Sequence, residues 1–107
     1  MVLLEVVVAV VVILSVVLPA RRILRRNGWL GIRTTATLAS DEAWARGHRA
    51  AVLPASLTGG IAIVGGVVAM SLGHGRDIAV VVGIAVVLVA GGVWIAAVAR
   101  RAAMRSE

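Results

Sequence analysis

Imidazole, carboxylate, hydroxyl and guanidinium groups crowd into one stretch of this chain, from Asn27 to Arg49. Asn27, Arg33, Thr34, Thr37, Ser40, Glu42, Trp44, His48 and Arg49 stand there together with Gly31. His48 could exchange a proton near neutral pH, and Arg33 with the threonine hydroxyls could hold an anion. The spacing assembles no catalytic set, however. His48 has no acid, nucleophile or second metal ligand at a working interval. Its predicted role is packing and hydrogen bonding, and the stretch as a whole predicts binding without turnover, metal or cofactor. Cysteine is absent, which removes thiol nucleophiles, thiolate ligands and disulfides together. His74 stands alone in a short polar link and reads as a solvated loop residue.

Local signals say how these groups are positioned. Ser40 can cap the first amides of a helix, with Asp41 and Glu42 complementing its positive end. From there Glu42 and Arg46 lie four apart, as do Trp44 and His48, so one face would carry an acid–base pair and another a tryptophan–imidazole pair. This predicts a short amphipathic helix lying along a membrane before the chain turns inward near Arg49. Upstream, Pro19 is expected to end an apolar segment, and Ala20 to Arg26 to continue as a basic helical stub. Its four arginines would snorkel to lipid phosphates. Gly28 and Gly31 bracket Trp29 and Leu30, a pattern suited to a tight turn with an aromatic ring at the interface.

The surroundings of this stretch are nearly all hydrocarbon. Of the 107 residues, 61% are hydrophobic and the mean hydropathy is +1.04, well above a soluble domain. Residues 2–18, 50–72 and 78–99 are apolar runs that reach about 25, 34 and 33 Å as helices, close to a bilayer's hydrocarbon core. Valine abounds, yet an unpaired strand in lipid leaves its amides unsatisfied, so the runs must be helical. The expected fold is all-α: one polytopic membrane domain, 1–107, with three transmembrane helices and a motif loop at 19–49. A signal peptide carries its positive charge ahead of the apolar run. Here Arg21, Arg22, Arg25 and Arg26 follow it, so the first helix is expected to remain, with its N-terminus outside.

All eleven basic residues are arginine, and the formal net charge is +6. Beside membrane spans such charge records topology rather than nucleic-acid binding. Seven arginines lie in the first loop and three in the tail, against Arg76 alone in the link Gly73 to Asp77. The loop and tail are therefore expected to face the cytoplasm. Small residues four apart, Ala55/Gly59, Ala62/Gly66 and Ala79/Gly83, with the pair Gly91-Gly92, predict close packing of the second and third helices. Pro54 costs little if the second helix starts nearby and would kink it otherwise. Glu5, an ionisable group within a span, raises a transport role, but it lies four residues from the outer end, within reach of water and of the amino terminus.

Asn27, Gly31-Ile32-Arg33-Thr34, Thr37-Leu38, Ser40, Glu42, Trp44 and His48-Arg49 together resemble the signature of the SdpI-like family of immunity and signalling membrane proteins. That signature has the form N-x-x-x-G-I-R-T-x-W-T-L-x-[SN]-x-E-x-W-x-x-x-H-R and joins two membrane helices. This chain departs from it at Ala36, where a tryptophan is usual, and the founding member has further N-terminal spans. The resemblance implies a bacterial inner-membrane protein that acts by binding. The founding member protects its producer from a secreted membrane-active toxin and sequesters a transcriptional repressor through its cytoplasmic side. Partners implied here are membrane lipids and a protein or a second copy of the chain, with no nucleic acid. One alternative is an accessory subunit of a larger membrane complex. The other is a small multidrug-resistance-type transporter, which needs four spans and a glutamate near mid-membrane.

Overall fold

A computed structural model describes residues 1–27 and 30–105. Three helices dominate it: α1, Val2–Ala20; α2, Asp41–Ser71; and α3, Ile78–Met104. Each is long and apolar enough to cross a membrane, and a 3-10 turn, Thr37–Ala39, lies in the loop between α1 and α2. Large apolar side chains such as Leu3, Leu4, Leu53, Ile61, Val89 and Val93 point outward. That is the expected arrangement when the solvent is hydrocarbon.

α2 is the central helix. α1 and α3 pack along it and touch each other at few places. The small-residue stripe on α2 serves mainly α1: Gly59 lies under Ile13 and the Ala9 carbonyl, and Gly66 under Val2 and Val6. Ala55 and Ala62 on the same helix are fully buried. α3 approaches α2 through Gly91, seated on Thr58, and at the loop end through Ala99, whose carbonyl lies against Gly47. The expected pair Ala79/Gly83 faces outward instead, and Gly92 likewise meets nothing. The helix turn places them on the side of α3 away from α2.

Two sequence expectations are corrected here. Among the described residues the polar motif forms no separate helix lying along the membrane. Ser40 does cap, accepting from the Ala43 amide at 2.9 Å, but the helix that it opens runs without interruption through Arg49 and Pro54 to Ser71. At 1.5 Å per residue its 31 residues reach about 46 Å, so its first turns project beyond a hydrocarbon core into the polar layer. Pro54 thus sits well inside a helix, where it takes the amide that would have bonded to the Ala50 carbonyl.

The second correction concerns the basic stub. α1 includes Pro19 and stops at Ala20, and residues 21–26 are turn and bend. The stop is a reversal in which Arg22 takes a left-handed conformation, φ 61°. The Ile23 amide bonds to the Leu18 carbonyl and the Arg22 amide to that of Pro19, both at 3.0 Å, the paired bonds of a Schellman cap. α2 ends the same way with glycine in the left-handed place: Gly73 has φ 79°, and His74 and Gly73 bond back to Ala69 and Met70. Arg22 occupies a position that favours glycine, and its guanidinium reaches the Glu42 carboxylate at 3.0 Å. The link after Gly73 closes with Asp77, which accepts from the Ala79 amide at 3.0 Å and opens α3.

Arg22→Ala should therefore destabilise more than Arg22→Gly, by about 1 kcal/mol, since both lose the Glu42 contact and only alanine keeps the left-handed strain. Thermal unfolding of the two variants in one detergent checks the order. Equal midpoints would show that the cap does not constrain this residue.

Candidate functional site

The motif builds a clamp around one residue, Ile32. Its side chain packs onto the buried cluster Val16, Ala51, Ala55, Ile95 and Ala99, where all three helices meet. Its backbone is gripped from both sides. The Ile32 amide donates to His48 Nε2 at 2.8 Å, and its carbonyl accepts from the Thr37 hydroxyl at 2.6 Å. An imidazole nitrogen that accepts cannot carry the proton. His48 is therefore neutral with its proton on Nδ1, from which it donates to the Trp44 carbonyl at 2.7 Å. Both nitrogens of this fully buried ring are used. Burial also holds the imidazole below its ordinary pKa. His48 lies two residues ahead of the charge-free run that begins at Ala50.

Thr37 is equally enclosed. It exchanges bonds with Thr34: the Thr34 amide donates to Thr37 Oγ1 at 2.9 Å, and the Thr37 amide to Thr34 Oγ1 at 3.1 Å. This reciprocal pair folds residues 34–37 into the start of the 3-10 turn, as a capping box does for an α-helix. Trp44 is 2% exposed. Its indole N–H donates to the Leu24 carbonyl at 2.9 Å, tying residues 21–26 to α2. Its ring leans on His48 with centroids 4.2 Å apart, so the tryptophan–imidazole pair expected at four-residue spacing is present. Gly31 passes over both rings at φ 104°. A Cβ there would lie 2.6 Å from Trp44 and 3.1 Å from His48 Nε2, and so glycine is required twice over.

The expected Glu42–Arg46 pair is not what these charges do. Glu42 bonds to Arg22, which lowers its pKa by hydrogen bond and charge, and Arg46 exerts the smallest effect of those acting on it. Arg46 turns the other way, donating to the carbonyls of Ala102 and Ala103 at 2.9 and 2.8 Å. These belong to the last turn of α3, where the negative end of the helix dipole favours a cation. Arg26 joins the network through Asp41 at 3.0 Å and the Leu38 carbonyl at 2.9 Å. Asn27 bends the loop, donating to the Arg25 carbonyl and accepting from the Leu30 amide. Arg33 and Arg49 are exposed. The turn expected over Gly28 and Trp29 lies outside the described residues.

A family model described as the SdpI/YfhL protein family matches residues 23–99, well over half of the chain. The chain belongs to the SdpI/YfhL family. No curated protein and no solved structure matches it. The SdpI/YfhL match takes in the loop from residue 23, all of α2 and most of α3, and leaves α1 outside. The clamp residues of the motif thus fall inside the family region, while Val16, which completes the apolar seat of Ile32, does not.

Three positions that hold the site were not among the residues singled out for binding. Ile32 looks like any apolar residue until its backbone partners are known. Gly47 sits in helical sequence at a cost of about 1 kcal/mol relative to alanine, a signal of close approach. A Cβ there would meet the Ala99 carbonyl at 2.8 Å and Thr37 Cγ2 at 3.1 Å. Arg46 lies on the expected helix but faces the end of α3 and not Glu42. Glu5 is set apart at the far end of α1. Its Oε1 is buried without a hydrogen-bond partner among the described residues, so the amino terminus does not serve that oxygen as expected.

Two outcomes follow. Gly47→Ala should destabilise by about 1–3 kcal/mol through overpacking against backbone, while Gly60→Ala, where nothing lies within 4 Å, should be neutral or stabilising by helix propensity. Equal effects in denaturant titration would refute the close approach. The second concerns acid. His48 titrates near 6.5 when unfolded and lower when folded, so between those values the unfolded chain binds more protons. Its contribution is complete above about 6.5 and is lost as pH falls toward the folded value. The wild-type melting temperature should drop through this window, and His48→Gln should start lower and lose that part of the slope.

Proposed function

We propose that this SdpI/YfhL protein acts by binding, with the motif end of the bundle as a rigid docking surface for a protein partner in toxin immunity or membrane signalling. One observation carries the reading: the buried polar side chains of the motif spend their hydrogen bonds on the loop itself. Both His48 nitrogens, the Thr37 hydroxyl and the Trp44 indole are engaged by backbone or by the neighbouring threonine. Groups so committed hold a shape and have no lone pair or proton to offer a substrate. What faces outward, Arg33, Thr35, Leu38 and Arg49, is charged, hydroxylic and aliphatic, the composition of a contact surface. No step of this reading uses a metal, cofactor or covalent intermediate.

The arginine asymmetry supports an inner-membrane orientation with the motif loop and C-terminus in the cytoplasm. A cytoplasmic regulator would meet the surface there, and a membrane-active toxin would meet it through the bundle. A second reading, an accessory subunit of a larger complex, is favoured by the outward glycines Gly60, Gly65, Gly83 and Gly92, each with open space around it. A partner helix could approach closely at these positions.

The test separates the surface from its support. Arg49→Ala should leave protein level and melting temperature unchanged, yet abolish co-purification of a defined partner from native membranes and any protection from toxin. Thr37→Val and Trp44→Ala should lower stability first. Retained partner capture and protection in the arginine variant, at normal protein level, would locate the working surface elsewhere.

A further inference from the structure

A cavity of about 320 Å³ opens between the end of α1 and the first turns of α2, lined by Pro19, Arg22, Leu24, Arg25, Asp41, Trp44 and Ala45. Its floor and its rim differ in kind. Pro19, Leu24, Trp44 and Ala45 provide hydrocarbon and an aromatic edge, while Arg22, Arg25 and Asp41 provide charge. We infer that this cavity binds a phosphate-bearing anion, with Arg25 as its principal ligand.

The charges at the rim support this. Arg22 is held by Glu42 and Asp41 is held by Arg26, each at 3.0 Å. These are two pairs with no net charge. Arg25 is exposed, and no carboxylate lies within 4 Å of its guanidinium among the described residues. The rim therefore carries one surplus positive charge, on a planar fork whose geometry suits a phosphate. The wall that faces it contains the start of α2, whose dipole adds positive potential. The left-handed backbone at Arg22 turns the chain so that Arg25 comes round to this opening instead of continuing along α1.

Depth favours a lipid headgroup as the source. The cavity begins at Pro19, where the apolar run of α1 gives out, and reaches Asp41, nine residues or about 13 Å along α2 before the charge-free run at Ala50. That is the polar layer of a bilayer, where arginine and tryptophan gather. The hydrocarbon floor would accept the glycerol and first methylenes of an anionic lipid, while a free phosphate ester would use the rim alone.

The experiment uses the full chain in a neutral detergent, titrated with phosphatidylglycerol, phosphatidylcholine or inorganic phosphate, with bound ligand counted by native mass spectrometry. Phosphatidylglycerol should bind in preference to phosphatidylcholine. Arg25→Gln should weaken it about tenfold, the worth of one charged hydrogen bond, with Arg25→Lys recovering part of the loss. Arg100→Gln, an exposed arginine on α3, should change nothing. Competition by inorganic phosphate would identify the headgroup phosphate as sufficient, and its failure to compete would identify the whole lipid. Equal binding of the two lipids, an unaffected Arg25→Gln, or equal weakening by Arg25→Gln and Arg100→Gln would each overturn the site.

Discussion

The loop of this protein depends on one constraint: a peptide backbone brought to the end of an apolar bundle must have its N–H and C=O groups answered there. Ile32 enters the bundle far enough to pack on Val16, Ala55 and Ile95, and its own amide and carbonyl go with it. An unpaired buried amide or carbonyl costs about 1–3 kcal/mol. His48 and Thr37 meet that requirement, one from α2 and one from the 3-10 turn. The clamp decides several other choices. His48 must keep Nε2 bare, which sends its proton to Trp44. Trp44 must lie under the loop, and this leaves space for nothing larger than glycine at position 31.

The clamp also accounts for the polar make-up of the motif. Histidine, threonine and tryptophan are chosen here as side chains that can reach a backbone group from inside a packed helix surface. His48 is suited because a neutral imidazole both accepts and donates along opposite edges. Once committed, it is a structural strut whose protonation opposes the fold. The arginines divide by place: half-buried Arg46 closes the end of α3, exposed Arg22 and Arg26 hold the acids that begin α2, and Arg33 and Arg49 are exposed.

α2 carries the whole arrangement because it belongs to both regions. Its apolar part supplies the small residues over which α1 and α3 close, and its first turns supply Trp44, Arg46, Gly47 and His48 to the loop. One continuous helix joins the bundle to the motif. Family membership over residues 23–99 spans both regions together, as that coupling requires.

Much of this was legible in the residues alone. Three uninterrupted apolar runs force three helices in lipid, since no other element satisfies its own backbone there. Ser40 followed by Asp41 and Glu42 marks the start of α2, and the spacing of Trp44 and His48 makes them neighbours. The motif's span and its Gly, Arg, Thr, Trp and His positions carried the family. What tertiary structure alone decided was partnership. Whether Glu42 pairs with Arg46 or Arg22, which helix lies over the α2 glycines, that Ile32 is the residue clamped, and that the motif helix runs straight into the span all depend on contacts between distant segments. Sequence spacing reports which groups share a helix face, but the other side of each contact comes from another helix or loop, and only the folded chain places it.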